Sequence, residues 1–344
     1  MNKKKLLLLL TALILIMASV LAHSYYSKIY KPNTVKEGYL YIPSNATYQE
    51  VQQLIRPFVK RVKPLDWVAQ KKNYPSKIKP GRYLIKKGMH NNALINLLRS
   101  GNQQALKVSF NNQDTLEKLA GRISEQIEAD SISILTAFKD PTFLAKNNFN
   151  AETAIAMYIP NSYQFYWNTS ADKFKKRMLK EYHRFWNSNR KAQAKKQGLS
   201  PLEVSTLASI VQKETAAVRE RPEVAQLYLN RLNNRWPLQA DPTVIYAIKE
   251  LRGQETIIKR VLLKDLKIDS RYNTYRISGL PPGPIGMPDI SSIAAVLNPT
   301  KHSYFYMCAN IDTPGKHVFA KTLSQHNRNA AKYQQWLNTQ GVHR

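Results

Sequence analysis

Glu214 stands where an apolar residue belongs, and that makes it the first candidate for chemistry. From Ser200 the apolar stripe of a helix runs Val204, Leu207, Val211, and the next position, three further on, is Glu214. An amphipathic helix puts another Leu or Val there. A carboxylate on a buried face is costly unless it is paired, neutral or used. Burial also raises a Glu pKa, which a general acid working near neutral pH requires. The alternative is a Glu paired with a buried cation, for which Arg219 and Arg231 are the candidates.

The residues that follow add polar and rigid pieces. Glu220 lies just before Pro222, which opens a second helix carrying Val224, Leu227, Tyr228 and Leu232. Next come Leu238-Gln239-Ala240-Asp241-Pro242-Thr243 and Tyr272-Asn273-Thr274-Tyr275, then the stiff loop from Gly279 to Pro288. Amide, hydroxyl and aromatic groups beside Pro/Gly turns are what a sugar-binding cleft uses. Gln239, Asp241, Tyr272, Asn273 and Tyr275 are therefore the candidates for holding a sugar, with Glu220 behind them. Each piece also has a structural reading: Asp241 before Pro242 starts a helix, and the Pro-rich loop is a stiff connection. His317 and His326 are nine apart without clustered partners, so both are read as structural. Cys308 is the only cysteine, which excludes an internal disulfide and a Cys-based metal site. It ends Tyr304-Phe305-Tyr306-Met307-Cys308, which reads as a core strand with Cys308 as a small buried residue. No metal motif is present, and the chemistry considered needs no cofactor.

These residues must be positioned by a fold of the α+β class. Ser200-Pro201-Leu202-Glu203 combines an N-cap Ser, Pro at the first helical position and Glu three after the cap. Upstream, residues 172–197 read as a basic helix with Phe174, Met178, Tyr182 and Phe185 on one face and an exposed end from Arg190 to Gln197. The aromatic segment from Tyr158 to Trp167 reads as core, with a sugar-facing surface as the alternative. Further upstream an apolar strand followed by a capped helix recurs three times: Leu40-Tyr41-Ile42 before Thr47–Glu50, Tyr83-Leu84-Ile85 before Leu94, Leu97 and Leu98, and Val108-Ser109-Phe110 before Asp114–Glu117. This pattern predicts small α+β modules rather than a long parallel sheet.

Lys3, Lys4 and Lys5 precede an uncharged apolar run from Leu6 to Ala22. Its length just suffices to span a bilayer, which needs roughly 17–25 residues. The lysines should stay cytoplasmic, leaving the rest on the extracytoplasmic side of the plasma membrane, with Tyr25, Tyr26 and Tyr30 at the interface. Cleavage after Val20-Leu21-Ala22 as a signal peptide is the alternative. The net charge of +29 suits an anionic polymer, an anionic membrane or nucleic acid. Export argues against nucleic acid, and the basic residues are spread along the whole chain.

Read together, several ordered motifs resemble the endolytic murein transglycosylase MltG (YceG-like) family. They are Leu207-Ala-Ser-Ile-Val-Gln-Lys-Glu-Thr215, Leu229-Asn-Arg-Leu232, Leu238-Gln-Ala-Asp-Pro-Thr-Val-Ile-Tyr246, Tyr272-Asn-Thr-Tyr275, Gly279-Leu-Pro-Pro-Gly283, His317-Val-Phe and Ser324-Gln-His-Asn327. The resemblance covers roughly residues 38–338 and is strongest from 200 onward. It implies a single-pass membrane anchor over 1–30, a LysM-like α+β module over 36–105, a middle region over 106–198 and a catalytic domain over 199–344. It also implies cleavage within nascent peptidoglycan glycan strands, 1,6-anhydro-N-acetylmuramic acid ends, work beside peptidoglycan synthases, and Glu214 as the catalytic residue. Two positions depart from the family pattern. Gln212 stands where members often have Glu, which leaves Glu214 alone in its motif. Ile155-Ala156 replaces a Glu-Gly pair ahead of Pro160-Asn161-Ser162-Tyr163. Two competing readings remain: a hydrolase with Asp241 or Glu220 as the water-activating partner, and a non-catalytic cell-wall scaffold in which Glu214 is a paired core residue.

Overall fold

The computed structural model describes residues 3–258 and 260–339. The chain forms two compact units: one of residues 1–108, 126–129 and 163–170, the other of residues 109–125, 130–162 and 171–344. The stretch 106–198 is shared between them.

In the first unit, α1 (Lys3–Tyr30) is one 28-residue helix with none of its side chains buried. It is long and apolar enough to cross a membrane. There follow β1 (Gly38–Ile42), α2 (Tyr48–Ile55), α3 (Val62–Lys71), β2 (Gly81–Ile85) and α4 (Asn91–Ser100). β1 and β2 pair antiparallel, with Leu40 opposite Tyr83. Strand alternation turns Leu40, Ile42, Tyr83 and Ile85 inward, where they meet Val51, Ile55, Leu65, Val68, Leu94 and Leu98. α2 begins at the expected capping box: Thr47 Oγ1 accepts from the Glu50 N–H, and the Glu50 carboxylate accepts from the Thr47 N–H. The first two strand–helix pairs thus close on each other as one βααβ layer with α4 behind it.

The third repeat behaves differently. β3 (Leu106–Phe110) pairs with β4 (Asn161–Phe165), not with β1 or β2. Its helix, α5 (Leu116–Ser124), is capped by Thr115, whose hydroxyl accepts from the Lys118 N–H. Asp114, the expected cap, instead pairs with Lys213 and Lys118.

The second unit continues with α6 (Ser131–Phe138), α7 (Pro141–Lys146), α8 (Ala171–Phe185), α9 (Ser188–Lys196), α10 (Pro201–Glu214), α11 (Arg221–Asn233), α12 (Asp241–Arg252) and α13 (Ile290–Leu297). A ribbon of β5 (Tyr306–Ala309) and β6 (His317–Ala320) and the helix α14 (Leu323–Thr339) complete it. The basic helix expected over 172–197 is two helices, because Asn187 starts a new one by accepting from the Arg190 N–H. Phe174, Met178 and Tyr182 form the buried face of α8 as expected. Tyr158 and Tyr163 are core, whereas Tyr166 is exposed. Cys308 is only half-buried, since β5 pairs with β6 alone and forms a ribbon, not a core strand.

α10 packs against α11, α12 and α13, and the loop before α13 closes over it. Gly283 in that loop has no room for a side chain: a Cβ would lie 2.3 Å from the Glu152 carbonyl oxygen. Since backbone must move to admit it, Gly283→Ala is expected to destabilise the second unit by about 1–3 kcal/mol. Native-state hydrogen exchange checks this: amides of α10 to α13 lose protection while those of β1 and β2 keep theirs.

Candidate active site

α10 starts at the predicted capping box, where Ser200 accepts from the Glu203 N–H and Glu203 accepts from the Ser200 N–H at 2.7 Å. Val204 through Val211 are all buried, so the helix is enclosed nearly all round and not only along its apolar stripe. Glu214 is its last residue, and Thr215 leaves it in extended backbone.

Glu214 is half-buried as a residue, but its Oε2 is out of solvent and has no hydrogen-bond partner. Desolvation is the main reason its pKa is raised above the ordinary carboxylate value. His317, the Tyr228 hydroxyl and Arg231 pull it back down, while Asp241 pushes it further up. The last turn of a helix is also an unfavourable place for negative charge. Neither arginine weighed as a partner forms an ion pair with it. Arg219 is exposed. Arg231 is buried, but its guanidinium donates to the Phe305 carbonyl at 2.8 Å and to the Leu238 carbonyl. Among the described residues the carboxyl therefore has no ion-pair partner: Arg231 is committed elsewhere, and the Tyr228 hydroxyl bonds to the carboxyl, whose Oε2 is left without a partner.

What holds it is a set of contacts around the end of α10. Ser209 Oγ accepts from the Ile285 N–H at 3.0 Å. The Gln212 amide donates to the Met287 carbonyl and accepts from the Asp289 N–H. A carboxylate at 212 could accept but not donate, so this Gln fastens the loop from both sides. Arg221, itself buried, donates to both Asp289 oxygens at 2.7 and 3.0 Å. Burial alone would raise the Asp289 pKa, but the Ser292 N–H and the Arg221 guanidinium outweigh it and hold the carboxyl below its ordinary value.

The sugar-contact candidates separate into two groups. Gln239 and Asp241 are exposed, and the Tyr275 hydroxyl donates to Asp241 Oδ1 at 2.7 Å. Gln239 sits at φ +49°, a left-handed conformation that costs a non-glycine residue energy and recurs at functional sites. Its N–H donates to the Thr274 carbonyl at 3.0 Å, and the Thr274 hydroxyl accepts from the Ala240 N–H and meets the Thr243 hydroxyl. That buried threonine pair brings the two sequence motifs together. Tyr272 and Asn273, by contrast, face inward. Asn273 is fully buried, donates to the Leu266 and Ile268 carbonyls, and accepts from the Tyr275 N–H. Its amide shapes the turn that presents Tyr275 and has no face for a sugar. Tyr272 packs against Tyr246 with the rings tilted and their centroids 4.5 Å apart, and burial pushes its phenol up to about 12. Glu220 is also buried, and both its oxygens engage His317: Oε1 accepts the backbone N–H at 2.6 Å and Oε2 faces Nδ1 at 3.0 Å. It orients His317 and does not reach solvent.

By Lys213, the residue before Glu214, a cavity of about 130 Å³ is lined also by Asp114, Pro242, Ile245, Tyr246 and Lys249 among others. A larger depression of about 480 Å³ lies at the other end of α10, by Glu203 and Gly279 to Pro282, away from the unpaired carboxyl. The chemistry follows the carboxyl and not the larger volume.

Comparison with known proteins agrees with the ordered motifs. The profile of the YceG-like family matches residues 40–332. The chain belongs to the YceG-like family. A protein of Bacillus subtilis (strain 168) named endolytic murein transglycosylase is 31% identical over 310 residues, covering 85% of this chain and 83% of that one. A protein of the same name from Streptococcus pneumoniae (strain D39) is 27% identical over 325 residues, covering 85% of this chain but 57% of its own. A crystal structure of a YceG-like protein from Listeria monocytogenes superposes with a TM-score of 0.55 at 27% identity, covering 86% of this chain and 99% of that chain.

Within this YceG-like chain, Tyr228 and His317 influence Glu214 and Thr274 joins two of the candidate motifs, though none of the three is a site candidate from sequence. Tyr228 lies on the buried stripe of α11 and reads there as core. His317 is too far along the chain for its pairing with Glu220 to show.

The raised Glu214 pKa fixes a sign. The folded chain keeps the proton to higher pH than the unfolded chain, whose value is near 4.5. Its contribution to stability therefore falls as pH rises above that value. Glu214→Gln removes the ionisation, so the variant is expected to be more stable than wild type at pH 7–8, by about 0.5–2 kcal/mol, and to match it near pH 4. Thermal unfolding of the second unit across that range is the measurement, and an advantage that grows on acidification would contradict the assignment.

Proposed function

We propose that this protein is a membrane-anchored lytic transglycosylase that cleaves peptidoglycan glycan strands internally between N-acetylmuramic acid and N-acetylglucosamine, with Glu214 as its acid and base. The observation that carries the reading is a carboxyl with one oxygen out of solvent and without a partner, at the end of a capped and packed helix, in a chain whose relatives bear the name endolytic murein transglycosylase. One carboxyl suffices for this reaction. Ordinary glycosidases need a second to activate water or attack the sugar. Here the muramic C6 hydroxyl is the nucleophile and is already tethered to the reacting ring, so proximity replaces the second group.

In the first half of the reaction Glu214 gives its proton to the glycosidic oxygen, and the bond to the muramic C1 breaks. The resulting carboxylate then takes the proton of the C6 hydroxyl as that oxygen closes on C1, restoring the acid. The raised pKa supplies the protonated form at the start. Tyr228, Arg231 and His317 steady the transient carboxylate, since each favours the ionised form. Asp241, held by Tyr275, and Gln239 are the exposed groups suited to the sugar hydroxyls and amide. α1 serves as the single-pass anchor, with the two units on the extracytoplasmic side. The βααβ module is the LysM-like part that holds the glycan close to the membrane. Cutting there, beside the synthases that extend the strands, would end their elongation.

A second reading rests on Asp241, which is exposed and near enough to influence the ionisation of Glu214. It could activate water and make the enzyme a hydrolase. Product chemistry separates the two. Full-length protein in detergent, incubated with uncross-linked glycan strands, is expected to yield fragments with 1,6-anhydro-muramic ends by mass spectrometry. Glu214→Gln should lower the rate by about 10²–10⁴-fold, while Asp241→Asn should leave the anhydro product unchanged in kind. Reducing ends from wild type would replace the proposal with the hydrolase. Intact strands retained tightly by wild type and variant alike would point to a scaffold.

A further inference from the structure

The anchor helix does not stop where its apolar run stops. It continues unbroken to Tyr30, and its end is built into the first unit. The Tyr25 ring packs on Trp67 of α3 at 5.5 Å, and the Tyr30 ring meets His90 at 5.4 Å. Asn91, 1% exposed, donates to the Lys28 carbonyl at 2.7 Å. Ile29 packs against the module's hydrophobic core. No flexible linker separates the anchor from the module, so the module's height above the bilayer is set by the helix.

That height can be estimated. The apolar run ends at Ala22, and at about 1.5 Å per residue Tyr25 lies about 5 Å beyond it. This is the headgroup layer, which adds roughly 5–8 Å on each side of the hydrocarbon. α3 meets α1 at that level. On α3, Lys63, Trp67 and Lys71 follow one another at intervals of four and share a face. Lys28 Nζ lies over the Trp67 ring at 5.4 Å and Lys71 Nζ at 6.0 Å. An aromatic ring among three cations at headgroup depth is the chemistry that meets anionic lipid. We propose that α3 is a membrane seat: Lys28, Lys63, Trp67 and Lys71 rest the module on anionic phospholipid headgroups of the bilayer that α1 spans. The proposal rests on the anchor reading given above and is independent of the reaction.

The test uses the full chain in lipid nanodiscs, with Cys308→Ser and a single fluorophore on Gln70→Cys, an exposed position beside the seat. A second preparation carries the fluorophore on Met17→Cys, within the apolar run. Headgroup-attached quencher lipid is expected to quench the Gln70 label, more strongly in discs containing phosphatidylglycerol than in phosphatidylcholine alone. Lys63→Glu with Lys71→Glu should reduce the seated fraction in the anionic discs, with the ratio of seated to lifted module falling on the order of tenfold. A Met17 label quenched by acyl-chain quencher with a Gln70 label untouched by headgroup quencher would overturn the seat and leave the anchor standing. Gln70 quenching that is the same in both lipids and indifferent to charge reversal would overturn headgroup recognition. A Met17 label that stays in water would overturn the anchor and the seat together, while leaving the glycan-cleavage experiment unaffected.

Discussion

Taking one carboxyl oxygen out of water without giving it a partner is the constraint around which the second unit is built. An unpaired buried acceptor costs about 1–3 kcal/mol, and more if it ionises. Glu214 Oε2 is in that position. Folding has to offset the cost elsewhere, and α10 shows how: a double cap at its start, eight consecutive buried residues along its length, and side-chain bonds from Ser209 and Gln212 into the loop that closes over it. The end of the helix is held by Arg221, which donates to the Thr215 carbonyl and to Asp289.

The same economy of partners explains the arginine beside the site. Arg231 is close enough to influence Glu214, and an ion pair would have been the simplest way to satisfy both. Instead its donors are taken by the Phe305 and Leu238 carbonyls. Its positive charge is present, and its geometry is fixed by backbone. A direct pair would hold Glu214 ionised and unable to donate a proton. A committed cation that makes no ion pair leaves the burial of Glu214 to dominate, which favours the protonated form. Glu220 and His317 are likewise fixed to each other.

Glu214 stands out as a candidate in the sequence because a helical stripe is a local pattern and a carboxylate breaks it visibly. The caps of α2 and α10, the strands β1 and β2 and the long apolar helix were legible for the same reason: each depends on residues within a few positions of one another. The failures are equally physical. Asp114 has the spacing of a cap, but it pairs with Lys213, 99 residues away, and no local pattern contains that pairing. Asn273 has the composition of a sugar ligand, yet its amide is consumed by carbonyls five and seven residues earlier. Composition does not reveal which way a side chain faces. Glu220 and His317 look unremarkable apart and become a pair only when the ribbon returns to α11. Cys308 sits in a run that reads as a core strand, but a two-stranded ribbon leaves its strands half-covered.

Asp241 shows why proximity of a second carboxyl does not by itself make a two-carboxylate enzyme. In a hydrolase the second group must be a free base facing the sugar. Asp241 already accepts from the Tyr275 hydroxyl at 2.7 Å, and it sits in the first turn of α12. The accepting oxygen is therefore engaged and not a free base facing a sugar. The negative charge of Asp241 acts on Glu214, raising the affinity of that carboxyl for its proton. The environments of the two carboxyls differ: Asp241 is exposed and engaged by Tyr275, while one Glu214 oxygen is out of solvent with no partner. A single such acid fits the proposed reaction, in which the nucleophile arrives with the substrate.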